Sequence, residues 1–447
     1  MRLFGTDGIR GPANEPPLTP PTLEAIARVL ARILARNGGE RHRVVLGNDG
    51  RRSAAMIQCS LAAGLLSEGC EVLLGGLMTT PCLAHLTREG GFDSGIMISA
   101  SHNRAGDNGI KIFGPDGSKI PDPVERDIEE GLAGDPEPAH GTLPGMLEPS
   151  EDPCAPYVDF LRRKALPDLQ LGGMRILVDC ANGGASFLAS RVLRSFGAEV
   201  EVRHDRPDGD NINEGCGALH PEALASTMEK GNFDFGLCLD GDGDRAIFID
   251  ERGRVVHGDA LLTLLALDLR KRSPEDSGIA VTVMSNLGLK KVCAEAGIEV
   301  VETPVGDRSV VSAMRNRGLL LGGENSGHVI FGPEHHFAGD GLYTGLKVAE
   351  LCLRRERPLS ELASVFTPFP QLLLNVPVSS KPPLQDIPEI ASAVAEVERE
   401  LAEEGRVVLR YSGTEKLCRV MVEGPTEEAV RESAERIADA VRSVLGT

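Results

Sequence analysis

The chain has 447 residues, more than one hydrophobic core usually serves, so we expect three or four domains. Hydrophobic residues make up 41% of it, as in a globular protein, and no apolar run approaches the roughly 20 residues that cross a bilayer. With 47 Lys and Arg against 66 Asp and Glu, the net charge is −19, which argues against nucleic acid as a partner. A site for an anionic ligand would have to be built locally, from Arg, Lys, backbone N–H groups or a metal ion.

The amino-terminal stretch MRLFGTDGIRG has no apolar secretory core, so we expect the protein in the cytoplasm. The ten cysteines form no CxxC pair, and several, such as Cys180 and Cys238, lie in apolar strand-like runs. We therefore expect reduced, mostly buried thiols rather than a zinc site or a disulfide framework.

A pattern of strand, glycine-rich turn and helix occurs three times along the chain. The strands RVVLG (43–47), RILVDC (175–180) and GIAVTV (278–283) each precede a helical stretch and then a second strand. Strands that alternate with helices indicate βαβ units and sheets rich in parallel strands. The sequence therefore predicts three similar mixed α/β domains.

The last part of the chain follows another plan. After a proline-containing linker (365–371) come the strand LLLNVPV, a helix over 387–404, the strands RVVLRY and LCRVMVE, and a helix over 427–444. That order predicts a smaller α+β domain with a mostly antiparallel sheet. A Pro- and Gly-rich stretch (134–153), a boundary near 252–257 and the proline-containing linker place the domains at 1–153, 154–252, 253–366 and 367–447.

The segment LCLDGDGDRAIFID (237–250) holds the densest chemistry, because Asp240, Asp242 and Asp244 alternate with glycines. Three carboxylates this close repel one another unless a cation joins them, and glycine lets the backbone curl so that their oxygens converge. Oxygen ligands select a hard cation such as Mg²⁺. An EF-hand is disfavoured because Arg245 stands where that loop needs glycine, and a dinucleotide fingerprint because no helix follows. The alternative is a solvated acidic turn between strands.

A serine stands beside a histidine in the loop ISASHNRAGDNGIKIF (98–113), which follows an apolar run. A turn needs only Gly, Asn or Asp, whereas this one carries Ser101, His102 and, ten residues on, Lys111. A phosphoryl group on Ser101 would add about two negative charges and would suit a cation held by three aspartates. His102 and Lys111 could then carry protons or balance charge, although a Ser-His loop by itself is more often structural.

The loop RYSGTEK (410–416) is suited to phosphate. It offers the guanidinium of Arg410, two hydroxyls and a glycine-loosened backbone, although it could also be a plain hairpin turn. Arg10 in FGTDGIRG and Arg308 in VGDR add cations, but a lone arginine usually makes only a surface ion pair.

The loop GGENSGH (322–328) is suited to a sugar. It places Glu324, Ser326 and His328 on a flexed segment after a strand. A carboxylate and a hydroxyl two residues apart suit the adjacent hydroxyls of a sugar, whereas the alternative is a β-turn.

The motifs SASHN…DNGIK, DGDGDR, GENSGH and RYSGTE occur together, in this order and at this spacing. In these motifs the chain resembles the α-D-phosphohexomutases from its first residues to its last domain. The resemblance implies three similar α/β domains and a fourth of different fold around a central active-site cleft. FGTDGIRG and the chain length resemble most closely the branch that acts on glucosamine phosphates, with phosphomannomutase/phosphoglucomutase as the competing branch.

The resemblance also implies roles for individual residues. Ser101 would be the phosphorylated serine and, with Asp240, Asp242 and Asp244, would bind Mg²⁺. Among substrate contacts, it implies Glu324 and Ser326 at the sugar's 3- and 4-hydroxyls. At the non-reacting phosphate it implies Arg410, Ser412, Gly413 and Thr414. We add Arg308 as a further substrate contact. Near the reacting phosphoryl group we expect Arg10, His102, Lys111, Arg245 and His328, with Lys111 as the first candidate for the proton carrier.

The implied reaction interconverts glucosamine 6-phosphate and glucosamine 1-phosphate and feeds UDP-N-acetylglucosamine and cell-wall synthesis. The phosphate on Ser101 would pass to the substrate, the bisphosphorylated sugar would turn over in the cleft, and its other phosphate would return to Ser101. We expect the last domain to move so that Arg410 closes on the phosphate and excludes water. Other hypotheses are a non-catalytic sugar-phosphate-binding regulator and a phosphoserine-dependent hydrolase. Family members are often dimers, so a homodimer is expected.

The chain departs from the family pattern near its phosphate sites. Arg104 and Lys416 stand where prolines are usual, Tyr411 where another proline often occurs, and Gly50 where a threonine is usual. None of these differences removes a functional side chain, but the two added cations could change the rate or the range of sugars.

Overall fold

A computed structural model describes residues 3–5, 7–36, 38, 41–134, 143–276, 278–412 and 416–446. The chain divides into two compact units. One comprises Met1–Gly258 and Leu320–Leu362, and the other comprises Asp259–Leu319 and Ala363–Thr447. Within the described ranges, the helices all lack the length and apolar character needed to cross a bilayer.

The first sheet of the first unit has six strands. Its strands are β1 (Ile9–Pro12), β2 (Arg43–Asn48), β3 (Glu71–Leu77), β4 (Ser94–Ile98), β5 (Asp107–Phe113) and β6 (Leu147–Pro149), in the order β1-β5-β4-β2-β3-β6. Its helices are α1 (Pro20–Ala35), α2 (Ala54–Ser67), α3 (Thr80–Glu89) and α4 (Asp122–Ala133). Strand β2 pairs in parallel with β3 and β4, while β5 runs antiparallel to β1 and β4.

Helices α1 and α2 supply the apolar face that covers this sheet. In α1 the buried positions Leu23, Ile26, Leu30 and Ile33 recur at helical spacing, as expected for a helix packed on one side. The two helices approach closely at Gly64, where a Cβ would lie 2.4 Å from the carbonyl oxygen of Glu24. This packing holds β4 and β5, which carry the predicted serine loop between them.

The second sheet of the first unit has five strands. Helix α5 (Ala155–Phe160) precedes β7 (Arg175–Asp179), α6 (Leu188–Ser195), β8 (Glu199–Arg203), α7 (Glu222–Gly231), β9 (Phe235–Leu239), β10 (Ala246–Asp250) and β11 (Val255–Val256), with strand order β11-β10-β9-β7-β8. Strand β7 is parallel to β8 and β9, and β10 is antiparallel to β9. The predicted DGDGD segment therefore forms the tip of the β9–β10 hairpin.

The third α/β segment contributes elements to both units. It contains α8 (Gly258–Arg272), β12 (Gly278–Thr282), α9 (Leu287–Glu295), β13 (Glu299–Thr303), α10 (Asp307–Arg317), β14 (Leu321–Gly323), β15 (Val329–Phe331), α11 (Gly341–Arg355) and α12 (Leu359–Ala363). In the second unit β12 and β13 are parallel, and in the first β14 and β15 form an antiparallel hairpin.

The rest of the second unit is the predicted α+β tail. It consists of β16 (Gln371–Pro377), α13 (Pro388–Leu401), β17 (Arg406–Tyr411), β18 (Leu417–Glu423) and α14 (Glu427–Leu445). The strands form an antiparallel sheet in the order β16-β18-β17, and both helices pack their apolar faces on it.

These observations confirm the predicted fold class of three α/β segments followed by a smaller α+β domain. Each predicted strand–helix–strand unit places its two strands side by side in parallel: β2 with β3, β7 with β8, and β12 with β13. All ten cysteines are free and only Cys59 is exposed, as the sequence predicted. The domain boundaries stay predictions.

Candidate active site

The predicted metal loop is the turn between β9 and β10. Gly243 adopts φ +70, a left-handed conformation that suits glycine. At Gly241 a Cβ would lie 2.6 Å from the carbonyl oxygen of Ser101, so this position admits no side chain without movement. The glycines between the aspartates therefore let the loop curl tightly against its neighbours.

Asp240, Asp242 and Asp244 are all buried, and each offers a carboxylate oxygen within 4.8 Å of the others. Burial, together with the charges of Asp244 and Asp242, raises the pKa of Asp240 well above its usual value. Asp242 Oδ1 is buried and accepts no hydrogen bond from the residues that the structure describes. Buried oxygens that converge with an unused acceptor fit a hard divalent cation.

Ser101 lies in the loop between β4 and β5 and reaches the aspartates. Its Oγ donates a hydrogen bond to Asp240 Oδ2 at 2.6 Å and lies 3.4 Å from Nδ1 of His102. Ser101 has φ +53, which is uncommon for a residue with a Cβ. The structure therefore brings together the Ser-His loop and the DGDGD loop, although they are far apart along the chain.

Lys111 on β5 is the principal cation at the aspartates. Its buried Nζ lies 2.7 Å from Asp242 Oδ2, 3.1 Å from Asp244 Oδ2 and 3.4 Å from Asp7 Oδ2. Burial would lower the pKa of Lys111, but the three carboxylates raise it well above its usual value. Burial would raise the pKa of Asp244, but Lys111 and His328 hold it well below its usual value. In this arrangement Lys111 is protonated and balances charge.

Arg245 and His102 complete this side of the site. The main-chain N–H of Arg245 donates to Asp240 Oδ1 at 3.2 Å, and its Nε lies 3.8 Å from Asp244 Oδ1. Burial and the charge of Arg245 lower the pKa of His102 to about 4. His102 is thus a neutral imidazole near pH 7.

Arg10 on β1 is connected to the site by an ion pair with Asp7. Asp7 also pairs with Lys119 and faces Lys111, and these three cations hold its pKa well below the usual value although burial opposes them.

The predicted sugar loop is the turn between β14 and β15. The N–H of Glu324 donates to the carbonyl oxygen of His328 at 2.9 Å, and the carbonyl of Gly327 accepts from the N–H of Ala246 at 3.0 Å. Nδ1 of His328 lies 3.4 Å from Asp244 Oδ1, so this turn adjoins the metal loop. Glu324 and Ser326 are half-buried in it.

The remaining predicted residues lie in the second unit. Arg410 on β17 stands directly opposite Arg419 on β18. Burial and the charge of Arg419 lower the pKa of Arg410. Like charges directly opposite each other in a sheet repel, and a bound phosphate would offset that repulsion. Ser412 accepts a hydrogen bond at its carbonyl from Nζ of Lys381 at 2.6 Å.

The structure gives no contacts for two further residues that were predicted to bind the phosphate. Gly413 and Thr414 lie outside the described residues. Arg308, in the second unit, lies in the first turn of α10, and its N–H donates to Asp307 Oδ1 at 2.8 Å.

Residues that sequence reasoning missed at these groups include Asp7, Thr80 and Arg419. Thr80 at the start of α3 donates from Oγ1 to Asp242 Oδ2 at 2.5 Å. Asp7 could have been suspected, because it stands in the same FGTDGIRG motif as Arg10, and Arg419 because it interrupts an apolar strand. Thr80 carries no such signal, since threonine is common at helix starts.

A second group of potential metal ligands differs from the three aspartates in its hydrogen bonds. Asp179, His204 and Cys216 offer ligand atoms within 4.8 Å of one another. The carboxylate of Asp179 already accepts from Nδ1 of His204 and from the N–H groups of Ala181 and Gly217, at 2.9–3.0 Å. Burial raises the pKa of the Cys216 thiol to about 12. We interpret this group as a hydrogen-bonded hub that shapes the loops after β7 and β8.

Four sequence models of one family match the chain. They are described as phosphoglucomutase/phosphomannomutase alpha/beta/alpha domains I (residues 1–138), II (155–253) and III (257–369), and the C-terminal domain (373–440).

Two full-length relatives are phosphoglucosamine mutases by name. The chain is 46% identical to the phosphoglucosamine mutase of Anaeromyxobacter sp. (strain Fw109-5) over 453 residues, which cover 100% of this chain and 96% of the relative. It is 44% identical to the phosphoglucosamine mutase of Syntrophotalea carbinolica over 450 residues, covering 100% and 98%.

Solved structures share the fold. A phosphoglucomutase/phosphomannomutase family protein from Burkholderia thailandensis superposes with a TM-score of 0.82 at 25% identity, covering 99% of this chain and 97% of the other. An Aspergillus fumigatus N-acetylphosphoglucosamine mutase, solved in complex with GlcNAc-6P and magnesium, has a TM-score of 0.65 at 18% identity, covering 99% and 95%. Together with the site geometry, these matches show that the chain belongs to the phosphoglucomutase/phosphomannomutase family of phosphohexomutases.

Proposed function

We propose that the chain is an isomerase that interconverts glucosamine 6-phosphate and glucosamine 1-phosphate. The choice of sugar is supported by the full-length relatives named phosphoglucosamine mutase, at 46% and 44% identity. The chemistry is supported by one observation above all: Ser101 Oγ lies 2.6 Å from a carboxylate oxygen of a buried group of three aspartates.

Mg²⁺ is the proposed metal, held by Asp240, Asp242 and Asp244 and completed by a phosphate on Ser101. The unused Asp242 Oδ1 and the all-oxygen donor set support a hard cation. When bound, Mg²⁺ would neutralise charge that develops on the transferring phosphoryl group.

In the proposed cycle Ser101 carries the phosphoryl group and gives it to a hydroxyl of the bound sugar phosphate. Lys111 and Arg245 balance the negative charge on the side of the aspartates. Lys111 is our candidate for the proton carrier: it would give its proton to the leaving Ser101 oxygen and take up the proton that the sugar hydroxyl releases. His102 is uncharged and is assigned to positioning of the Ser101 loop. After the bisphosphorylated sugar turns over, the second phosphate returns to Ser101.

The proposed substrate contacts must serve both orientations of the sugar. Glu324 and Ser326 would hold its middle hydroxyls, which occupy similar places before and after the turn. In the second unit, the non-reacting phosphate would bind to Arg308, Arg410, Ser412, Gly413 and Thr414. Exclusion of water is then essential, because water that attacked the phosphoserine would make the enzyme a phosphatase.

A coupled assay tests the proposal with glucosamine 6-phosphate, glucose 6-phosphate and mannose 6-phosphate under one set of conditions. We expect glucosamine 6-phosphate to give the highest kcat/KM and Ser101→Ala to abolish isomerisation. Ser118→Ala, in a turn after β5, is the matched control and should keep its activity. A preference for glucose or mannose phosphate would overturn the sugar assignment, and release of free phosphate without isomer would identify a hydrolase instead.

Location and assembly are proposed from the family likeness alone. We propose a cytoplasmic enzyme that forms a homodimer. Light scattering on the purified protein tests the second part, and a monomer at micromolar concentration would overturn it.

A further inference from the structure

Arg51 belongs to none of the predicted sites, yet it is tied to the loop that carries Ser101. Its side chain is wholly buried, at the end of the segment GNDGR (47–51), whose first two residues are the last two of β2. Its guanidinium donates to four main-chain carbonyl oxygens of that loop, those of Ser101, Asn103, Arg104 and Asp107. Nε takes the remaining bond, to Asp49 Oδ2 at 2.9 Å.

These contacts use all five N–H donors of the guanidinium. Nη2 lies 3.0 Å from the carbonyl oxygen of Ser101 and 2.8 Å from that of Asn103. Asp49, itself fully buried, balances the charge. Arg51 therefore has no donor left for a substrate phosphate, and its contacts hold the serine loop in shape.

Asn213 holds the same two carbonyl groups from the other side. Its Nδ2 donates to the carbonyl oxygens of Ser101 and Asn103, each at 2.9 Å. Asn213 is itself fixed, because its N–H donates to the carbonyl oxygen of Ala181 at 2.9 Å. Ala181 in turn is held by Asp179, so the hydrogen-bonded hub described above sets the position of Asn213.

The conformation of Ser101 explains why two donors would be needed. A left-handed backbone conformation is strained for a residue with a Cβ and persists only where its surroundings fix it. At φ +53 the carbonyl of Ser101 points to Arg51 and Asn213, while the Oγ points to Asp240. If the carbonyl were released, rotation of the backbone would carry the hydroxyl away from the aspartates.

We propose that Arg51 and Asn213 are positioning residues that hold Ser101 in its left-handed conformation and so aim its oxygen at the aspartate group during phosphoryl transfer. The inference rests on the proposed function, because it assigns Ser101 the transferred phosphate. It adds two side chains that never touch the substrate but decide whether the nucleophile is in place.

The test uses Arg51→Lys and Asn213→Asp in the full-length enzyme. A lysine cannot reproduce the planar fork that reaches four carbonyls. Asn213 has φ +58, and an aspartate there keeps the size and tolerates this left-handed backbone but offers no donor. The matched controls are Arg52→Lys and Asn211→Asp, because Arg52 pairs on the surface with Asp210 and Asn211 bonds within its own loop.

Two quantities are measured on each folded variant. We expect kcat to fall about 100-fold with KM changed less than about threefold, since displacement of a nucleophile by about an ångström has that effect on rate. We also expect dephosphorylated enzyme to take up phosphate from glucose 1,6-bisphosphate about 100-fold more slowly, followed by intact mass. The controls should stay within about twofold of the parent enzyme in both measurements, as expected for surface substitutions.

The alternative is that Arg51 and Asn213 only stabilise the fold. In that case folded variants would show a lower Tm but kcat and phosphate uptake within about threefold of the parent enzyme, and the proposal would be overturned. If Arg51→Lys does not fold, Asn213→Asp decides the question. The kinetics use whichever sugar phosphate the parent enzyme isomerises best, so an error in the assigned sugar would leave this test intact.

Discussion

Lys111 carries the charge balance of the site, since its buried Nζ lies within 3.1 Å of oxygens of both Asp242 and Asp244. We predict that Lys111→Met lowers kcat by about 100-fold or more, because it removes a cation and a candidate proton carrier at once. Loss of one partner from a buried ion pair should also cost about 3–5 kcal/mol of unfolding free energy.

The stability loss in Lys111→Met should depend on the divalent metal, because a bound cation can replace the missing charge. We therefore expect a larger fall in Tm in chelator than in excess Mg²⁺, measured by calorimetry. Lys119→Met, which removes a lysine that pairs with Asp7, is the control and should show no such difference. Equal Tm losses for Lys111→Met in both conditions would contradict this account of its role.

His85 on α3 gives the fold a dependence on pH. Burial lowers the pKa of His85 to about 4, below the usual 6.5 that the unfolded chain would show. As the pH falls, His85 therefore takes up a proton at a higher pH in the unfolded state than in the folded state. The stability that comes from a neutral His85 is present above pH 6.5 and is lost as the pH falls toward 4. His336, whose pKa burial also lowers to about 4, acts in the same direction.

We predict that His85→Phe makes the fall in Tm between pH 6.5 and 4 shallower. Phenylalanine keeps a ring against Phe160, which lies 4.5 Å from the His85 ring, but cannot take up a proton. Thermal unfolding at a series of pH values checks this. Curves for the parent and variant proteins that run parallel would show that His85 contributes nothing to the pH dependence.

Among the elements, the β9–β10 hairpin tip depends most on its glycines. A Cβ on Gly241 would lie 2.6 Å from the carbonyl oxygen of Ser101 and 2.8 Å from Nδ2 of Asn213. We predict that Gly241→Ala separates the metal loop from the serine loop and lowers kcat about 100-fold, as misplacement of reacting groups does. Steady-state kinetics measure the effect.

Gly172→Ala is the matched control, because a Cβ at Gly172 would meet no atom within 4 Å. It should leave kcat unchanged. A Gly241→Ala enzyme with the kcat of the parent would mean that the two loops need not touch for catalysis.

Periodicity and turn residues were enough to predict most of the helices and strands. The run RVVLG predicted β2, and the alternation of strands with helices predicted parallel pairing, because both follow from local chain geometry. The DGDGD turn and the Ser-His loop could be recognised as candidate site segments because they carry carboxylates, a hydroxyl and an imidazole that a turn by itself does not need.

Contacts that depend on the tertiary fold were not readable in this way. Thr80 resembles an ordinary helix start, yet its hydroxyl binds Asp242 from a distant part of the chain. Arg51 resembles a surface arginine in a glycine-containing turn, yet it is wholly buried. Only the packing of β2, β4 and β5 shows that four of its five donors meet the serine loop and that the fifth meets Asp49.

For the molecule as a whole, a metal ion held by the three aspartates would make the stability of the fold depend on the metal concentration. A ligand that binds only the folded state stabilises it by an amount that grows with its concentration, about 2.7 kcal/mol at 100 times Kd. We predict that Mg²⁺ raises the Tm of the parent enzyme relative to chelator and that Asp242→Asn loses this response. Asp116→Asn, in an exposed turn, is the control and should keep it. A parent enzyme with the same Tm in both conditions would argue against a metal at this site.

The central claim is that Ser101 carries the transferred phosphoryl group. Peptide mapping by mass spectrometry on enzyme quenched during turnover of glucosamine 6-phosphate tests it most directly. The account predicts a single phosphate in the protein, located on Ser101. Turnover at full rate with Ser101 unmodified, or with the phosphate on another residue, would contradict it.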